Sequence, residues 1–179
     1  MKKLHVNLLL ALAVCLIVAL FGFLATISAY PVQYRKQAAL YHGDWRLVLS
    51  VIKAESNFNE RATSAKGACG LMQILPDTAE FIAKKNQIEG YDLYDGEDNI
   101  RLGCLYLQYL EGRFCNLKTV LAAYNAGEGT VSAWLKNEQY SLDGVTLIEI
   151  PYSETERYVK KIIKYYENYK RIYLTNGEK

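Results

Sequence analysis

The stretch VLSVIKAESNFN, residues 48–59, places an acid on what is otherwise the buried stripe of a helix. Val48, Val51 and Ile52 recur at helical spacing and mark a core-facing side. Glu55 is the next position on that stripe, and Ser56 and Asn57 end the pattern directly after it. The acid thus falls in the last turn, where the helix dipole opposes negative charge, and on a side where burial opposes it as well. Both effects favour the neutral carboxylic acid, so the pKa of Glu55 is expected to rise toward neutral pH.

Helices continue in both directions from this stretch. Asp44 is placed to cap a helix from Trp45 to Glu55, and Val32 to Tyr41 reads as a shorter one before it. Pro76 and Asp77 open a helix that reaches Lys85, and GYDLYDGE (residues 90–97) reads as a loop. Asp98 to Glu111 is apolar on most sides, as a central buried helix would be. Leu117 to Asn125 and Gly129 to Lys136 are expected as two short helices divided by AGEG. NEQYSLDGVTLIEIPYS (residues 137–153) is a long excursion in which a brief extended piece is expected. Glu154 to Tyr173 closes the chain's pattern with Tyr158, Ile162, Tyr165 and Tyr169 along one side. The expected fold class is all-α.

The first 30 of the 179 residues differ from the rest. Lys2 and Lys3 precede an uncharged run that lasts until Arg35, and Leu8 to Ala25 has the length of a membrane span. The expected organisation is a membrane anchor over residues 1–30 and one domain over residues 31–179. The lysines predict a single pass with the N-terminus inside, which leaves the domain outside the cytoplasm on the membrane. Cleavage after Ala29 is the competing expectation, and it would give a secreted protein; the length of the run favours the retained anchor. A tether of about four residues would then reach only ~10–15 Å, holding the domain close to the membrane. Cys15, mid-run, reads as a membrane-buried thiol.

Removing Lys2 and Lys3 from the 21 basic residues leaves 19 against 19 acidic ones, which gives no electrostatic reason to bind nucleic acid. The two histidines, His5 and His42, cannot supply both a nucleophile triad and a zinc site. Cys69, Cys104 and Cys115 lack metal-ligand spacing, so neither a metal nor a cofactor is expected. No GxSxG or phosphate-cradling glycine loop is present, and no histidine follows His42 to pair with a catalytic thiol. Carboxylate chemistry remains. Cys104 shares a helical side with Ile100, Gly103 and Leu107 and reads as a buried free thiol; a Cys104–Cys115 bridge is the alternative.

Four segments carry a resemblance: AESNFN (54–59), SAKGACGLMQILPDTA (64–79), AAYNAGEGTV (122–131) and IPYSETERYVKKI (150–162). Together, in this order, they resemble the signatures of the lytic transglycosylases of glycoside hydrolase family 23. The resemblance implies a lysozyme-like helical fold. It also implies cleavage of the β-1,4 bond between N-acetylmuramic acid and N-acetylglucosamine in peptidoglycan, with a 1,6-anhydromuramic product. Glu55 would then act as acid and afterwards as base, since no second acid stands in a recognisable motif beside it.

By the same resemblance Gln73, Met72, Tyr124, Asn125, Glu154 and Tyr158 are expected to contact substrate. Gly67 and Gly70 are expected to let the backbone approach the sugar, and Ser56 to support the turn after the acid. The last segment departs from the family pattern: Glu156 stands where the family often has arginine, and Arg157 follows one position late. A hydrolysing muramidase of the goose-lysozyme type, and a non-catalytic wall-binding module, are the competing expectations. Peptidoglycan strands and the membrane are the expected partners; wall-synthesis or secretion-machine proteins are not specified by any residue pattern.

Overall fold

The computed structural model describes residues 2–173, with side chains from Leu12 onward; the lysines at 2 and 3, on which the expected orientation rests, lie outside the described side chains. The chain divides into two compact units, Met1–Gln33 and Tyr34–Lys179. In the first, α1 (Lys2–Ala29) is a single helix. Its segment Leu12–Ala29 has mean hydropathy 2.6 with no part buried, so it is long and apolar enough to cross a membrane.

The second unit is helical, and among the described residues it holds no strand. It comprises α2 (Arg35–Tyr41), α3 (Trp45–Glu55), α4 (Pro76–Lys85), α5 (Gly96–Arg113), α6 (Leu117–Ala126), α7 (Glu128–Leu135) and α8 (Ser153–Ile172). The expected all-α class holds. Helix α5 is the central element: Ile100, Leu102, Gly103, Cys104, Leu107 and Leu110 are buried on it, and α2, α4 and α6 pack around it. Helix α3 packs against α8, where Thr155, Val159, Ile162 and Tyr169 form the buried stripe.

Caps explain where the elements begin. Asp44 accepts hydrogen bonds from the amides of Arg46 (3.1 Å) and Leu47 (3.4 Å), which fixes the start of α3 as expected. Asp95 does the same for Glu97 and Asp98, so α5 starts at Gly96, two residues before the expected Asp98. Only Gly127, at φ +88°, separates α6 from α7. The AGEG divide is thus one residue rather than four, because a single left-handed glycine suffices to turn the chain.

The extended piece expected within residues 137–153 does not form; the segment is turns and bends. The Asp143 carboxylate accepts from the amides of Val145 and Thr146 and from the Ser141 hydroxyl, and Lys118 donates to the carbonyls of Leu147 and Ile148. Side chains thereby satisfy backbone groups that a strand would have needed a neighbour to pair. The alternative Cys104–Cys115 bridge is also absent: Cys104 is buried inside α5, Cys115 is exposed beyond its end, and both are free thiols. Burial pushes the Cys104 thiol up to about 12, which makes it inert.

Candidate active site

Helix α3 delivers Glu55 as its last residue. Ser56 closes the last turn, both its amide (3.0 Å) and its hydroxyl (3.2 Å) donating to the Ile52 carbonyl. Asn57 (φ +49°) and Phe58 (φ +67°) then adopt left-handed conformations that residues other than glycine rarely take. Two such residues in succession turn the chain sharply away and leave the Glu55 carboxyl at the helix tip.

Glu55 is half-buried. The Tyr158 hydroxyl on α8 donates to its Oε1 at 2.6 Å, and Lys161 Nζ, one turn further along α8, donates to the Ala54 carbonyl at 2.8 Å. Burial raises the Glu55 carboxyl from its ordinary 4.5 to about 7, against the opposing pull of the Tyr158 hydrogen bond and the Lys161 charge. Near neutral pH it therefore occupies both protonation states, as a group that gives and retakes a proton requires.

The loop after Ala62 forms the facing wall. Its only regular pairings are two isolated antiparallel bridges, Thr63 to Cys69 and Cys69 to Ile74. Gly67 (φ +81°) and Gly70 (φ +77°) both need left-handed backbone. Gly70 has a packing role besides the approach to sugar expected of it. A Cβ at Gly70 would collide with the Leu93 carbonyl and the Asn99 amide, so the glycine serves internal packing.

Asn99, fully buried on α5, holds this loop by two bonds and ties it to Leu93, ahead of α5, by a third. Its Nδ2 donates to the carbonyls of Cys69 and Leu93 (both 2.9 Å), and its Oδ1 accepts from the Met72 amide (2.8 Å). Met72 was expected to line the cleft; instead its side chain is fully buried against Gly103, where no Cβ would fit. Its backbone still matters, since the Tyr124 hydroxyl donates to the Met72 carbonyl at 2.9 Å. Gln73 sits at φ +50°, and its Nε2 donates to the carbonyls of Ala62 and Gly70, which leaves the amide held rigidly at the cavity wall.

A cavity of about 340 Å³ lies between these elements, lined among others by Glu55, Lys66, Gln73, Tyr124, Asn125 and Glu154. Five of the expected residues thus meet in one place. Asn125 is oriented by Thr155, whose hydroxyl donates to its Oδ1 at 2.8 Å. Tyr158 touches Glu55, and Ser56 holds the helix end. Of the displaced pair, Glu156 is ion-paired with Lys160 at 2.6 Å, and exposed Arg157 donates back to the Ser153 carbonyl. Among the described residues, no three His, Cys, Asp or Glu side chains gather as a metal-ligand set.

Sequence patterns did not single out Lys161, Lys66 or Asn99. Asn99 carried a usable signal, a polar residue in the middle of an apolar helix. Lys161 and Lys66 carried none, since lysine is ordinary on exposed surfaces.

Residues 33–144 match the family described as the transglycosylase SLT domain. The soluble lytic murein transglycosylase of Escherichia coli is 43% identical over 123 residues, 65% of this chain and 19% of the relative. The membrane-bound lytic murein transglycosylase C of Yersinia pestis is 30% identical over 162 residues, 76% of this chain and 45% of the relative. The crystal structure of the 70 kDa soluble lytic transglycosylase from Escherichia coli superposes with a TM-score of 0.72 at 33% identity, covering 82% of this chain and 25% of that one. This chain thus spans about a fifth of the soluble relative's length and under half of the membrane-bound one's.

Proposed function

The chain belongs to the transglycosylase SLT domain family, and from that premise we propose that it is a peptidoglycan lytic transglycosylase with Glu55 as its catalytic acid and base. The carrying observation is a single half-buried carboxyl, held at about 7 by burial, at the wall of a cavity shared with Gln73, Tyr124, Asn125 and Glu154. Glu55 in its neutral form donates its proton to the glycosidic oxygen as the bond to the muramic anomeric carbon breaks. The substrate's own N-acetyl group assists at that carbon. The resulting Glu55 carboxylate, stabilised by the Tyr158 hydroxyl, takes the proton of the muramic 6-hydroxyl as that oxygen closes the 1,6-anhydro ring. The proton count returns to its start and no water is consumed.

Gln73, Asn125 and Glu154 present hydrogen-bonding groups to the bound sugars, and Tyr124 supplies an aromatic wall. Helix α1 anchors the chain in a membrane by a single pass with its N-terminus inside, placing residues 31–179 on the outer side, against the wall. The uncharged, apolar segment Leu12–Ala29 and the membrane-bound relative support the anchoring, and Lys2 and Lys3 support the orientation. The deciding experiment is digestion of purified peptidoglycan by the full chain in detergent, with the products weighed. Anhydro ends, lighter by one water than hydrolysed ends, are expected. Hydrolysed ends would make the chain a muramidase, and undigested wall retained on the protein would make it a binding module.

A further inference from the structure

Helix α8 grips the end of α3 at two points one turn apart. Tyr158 reaches the Glu55 carboxyl itself, and Lys161 reaches the carbonyl of Ala54, the residue immediately before it. The last carbonyls of a helix have no intrahelical partner and carry the negative end of its dipole, so an ammonium there is favourable on both counts. We infer that Lys161 is a positioning residue for Glu55: it fixes the end of α3 that carries the carboxyl and supplies the positive charge that faces it.

Three observations support this. Lys161 Nζ donates to Ala54 O at 2.8 Å and forms no ion pair with an acid among the described residues, so its charge is not neutralised by a nearer carboxylate. The Tyr165 ring lies 6.0 Å from Lys161 Nζ and 5.2 Å from Lys53 Nζ, so an aromatic face lies against both ammonium groups. The Lys161 charge lowers the pKa of Glu55 and, with burial, that of Lys53 as well, so its field reaches both.

The other groups that face Glu55 are accounted for. On α8 these are Tyr158 and, across the cavity, Glu154; on α6, Tyr124, with Tyr106 of α5 behind it. From the facing loop comes Lys66. The two phenols Tyr124 and Tyr158 are held protonated by burial. Lys161 donates to the backbone of the helix end that bears the acid.

The inference rests on the acid role proposed for Glu55, so the test has one readout that needs catalysis and one that does not. In the full chain in detergent, Lys161→Met and Lys161→Arg are compared with the unsubstituted protein. The first readout is the pH dependence of peptidoglycan solubilisation. The second is the titration of the Glu55 carboxyl followed by carbon-13 NMR of glutamate-labelled protein, with the signal assigned through Glu55→Gln. Lys161→Met should move both the alkaline limb and the carboxyl titration upward by roughly half a pH unit, the order expected for one partly solvated charge. Lys161→Arg should leave both in place.

If the chain digests no peptidoglycan at all, the proposed function fails. The carboxyl titration then decides the role of Lys161 alone, an upward move supporting it. A titration unmoved by Lys161→Met, or moved equally by Lys161→Arg, overturns the inference whatever the activity.

Discussion

Replacing Glu55 by glutamine should abolish activity and stabilise the fold at alkaline pH, two effects of opposite sign with one cause. Burial raises the carboxyl from 4.5 to about 7, so the folded state holds this proton more tightly than the unfolded chain does. The associated stability is fully present below pH 4.5 and is lost as pH rises through about 7. At ~1.4 kcal/mol per pH unit the loss amounts to about 3 kcal/mol above neutrality. Glutamine has the same shape and no charge to desolvate, and the pull of the Tyr158 hydrogen bond on the carboxylate is already contained in the net rise to about 7. The expectation at pH 8 is therefore a gain of about 3 kcal/mol, or roughly 9 °C in Tm for a domain of this size. At pH 4 both side chains are neutral and the gain should vanish. Thermal unfolding at the two pH values, followed by near-ultraviolet circular dichroism on the full chain in detergent, measures this directly. Loss of the proton donor should meanwhile cut turnover on the order of 10⁴-fold, because the same group serves both proton transfers. A variant that keeps a tenth of the activity, or that is no more stable at pH 8 than at pH 4, refutes the reasoning.

The unsubstituted protein should lose the proposed activity as pH rises through about 7 while its far-ultraviolet circular dichroism stays constant; a rate loss that follows the dichroism would instead report unfolding. Tyr158→Phe removes the donor that holds Glu55 Oε1 at 2.6 Å, so the alkaline limb should move upward and the plateau rate fall about tenfold. An unmoved limb would show that the bond does not tune the acid. Gly70→Ala should cost about 2–4 kcal/mol in urea unfolding, because its Cβ meets the Leu93 carbonyl and Asn99 at a left-handed φ. Gly67→Ala, with open space around it, should cost only about 1 kcal/mol, and equal losses at the two sites would argue against the packing account.

The helices were legible because their signals are local. Asp44, Pro76 and the apolar stripes of α3 and α8 act within one or two turns, and the elements form where those residues stand. The raised pKa of Glu55 was legible for the same reason, since its burial was encoded in the spacing around it. What stayed hidden depends on contacts between distant segments. Met72 is apolar in either role, and only the Gly103 gap on α5 decides that it packs inward rather than lining the cleft. Gly70 shows φ freedom in any sequence, but the Leu93 and Asn99 atoms that demand it lie more than twenty residues away. The two bonds of Asn99 to the loop and the Lys161 contact with Ala54 span sequence separations that no periodicity records.

The displaced arginine in SETERYV shows how helical phase settles what a motif comparison leaves open. Helix α8 starts at Ser153, so Glu154, Tyr158 and Lys161 follow at intervals of four and three and share one side. That side meets the cavity and the end of α3, as the Glu55 and Ala54 contacts demonstrate. Thr155, Val159 and Ile162, one residue on in phase, form the buried stripe. Glu156 lies roughly 200° around the helix from Glu154, and it closes an ion pair with Lys160 at the surface. The position at which this chain departs from the family pattern therefore faces away from the cavity. Arg157 turns back onto the Ser153 carbonyl at the exposed start of the same helix and takes no part in lining the site. With glutamate at 156 and arginine one position late, Glu154, Tyr158 and Lys161 still share the side of α8 that meets the cavity and the end of α3, while both substituted positions make their contacts at the helix surface.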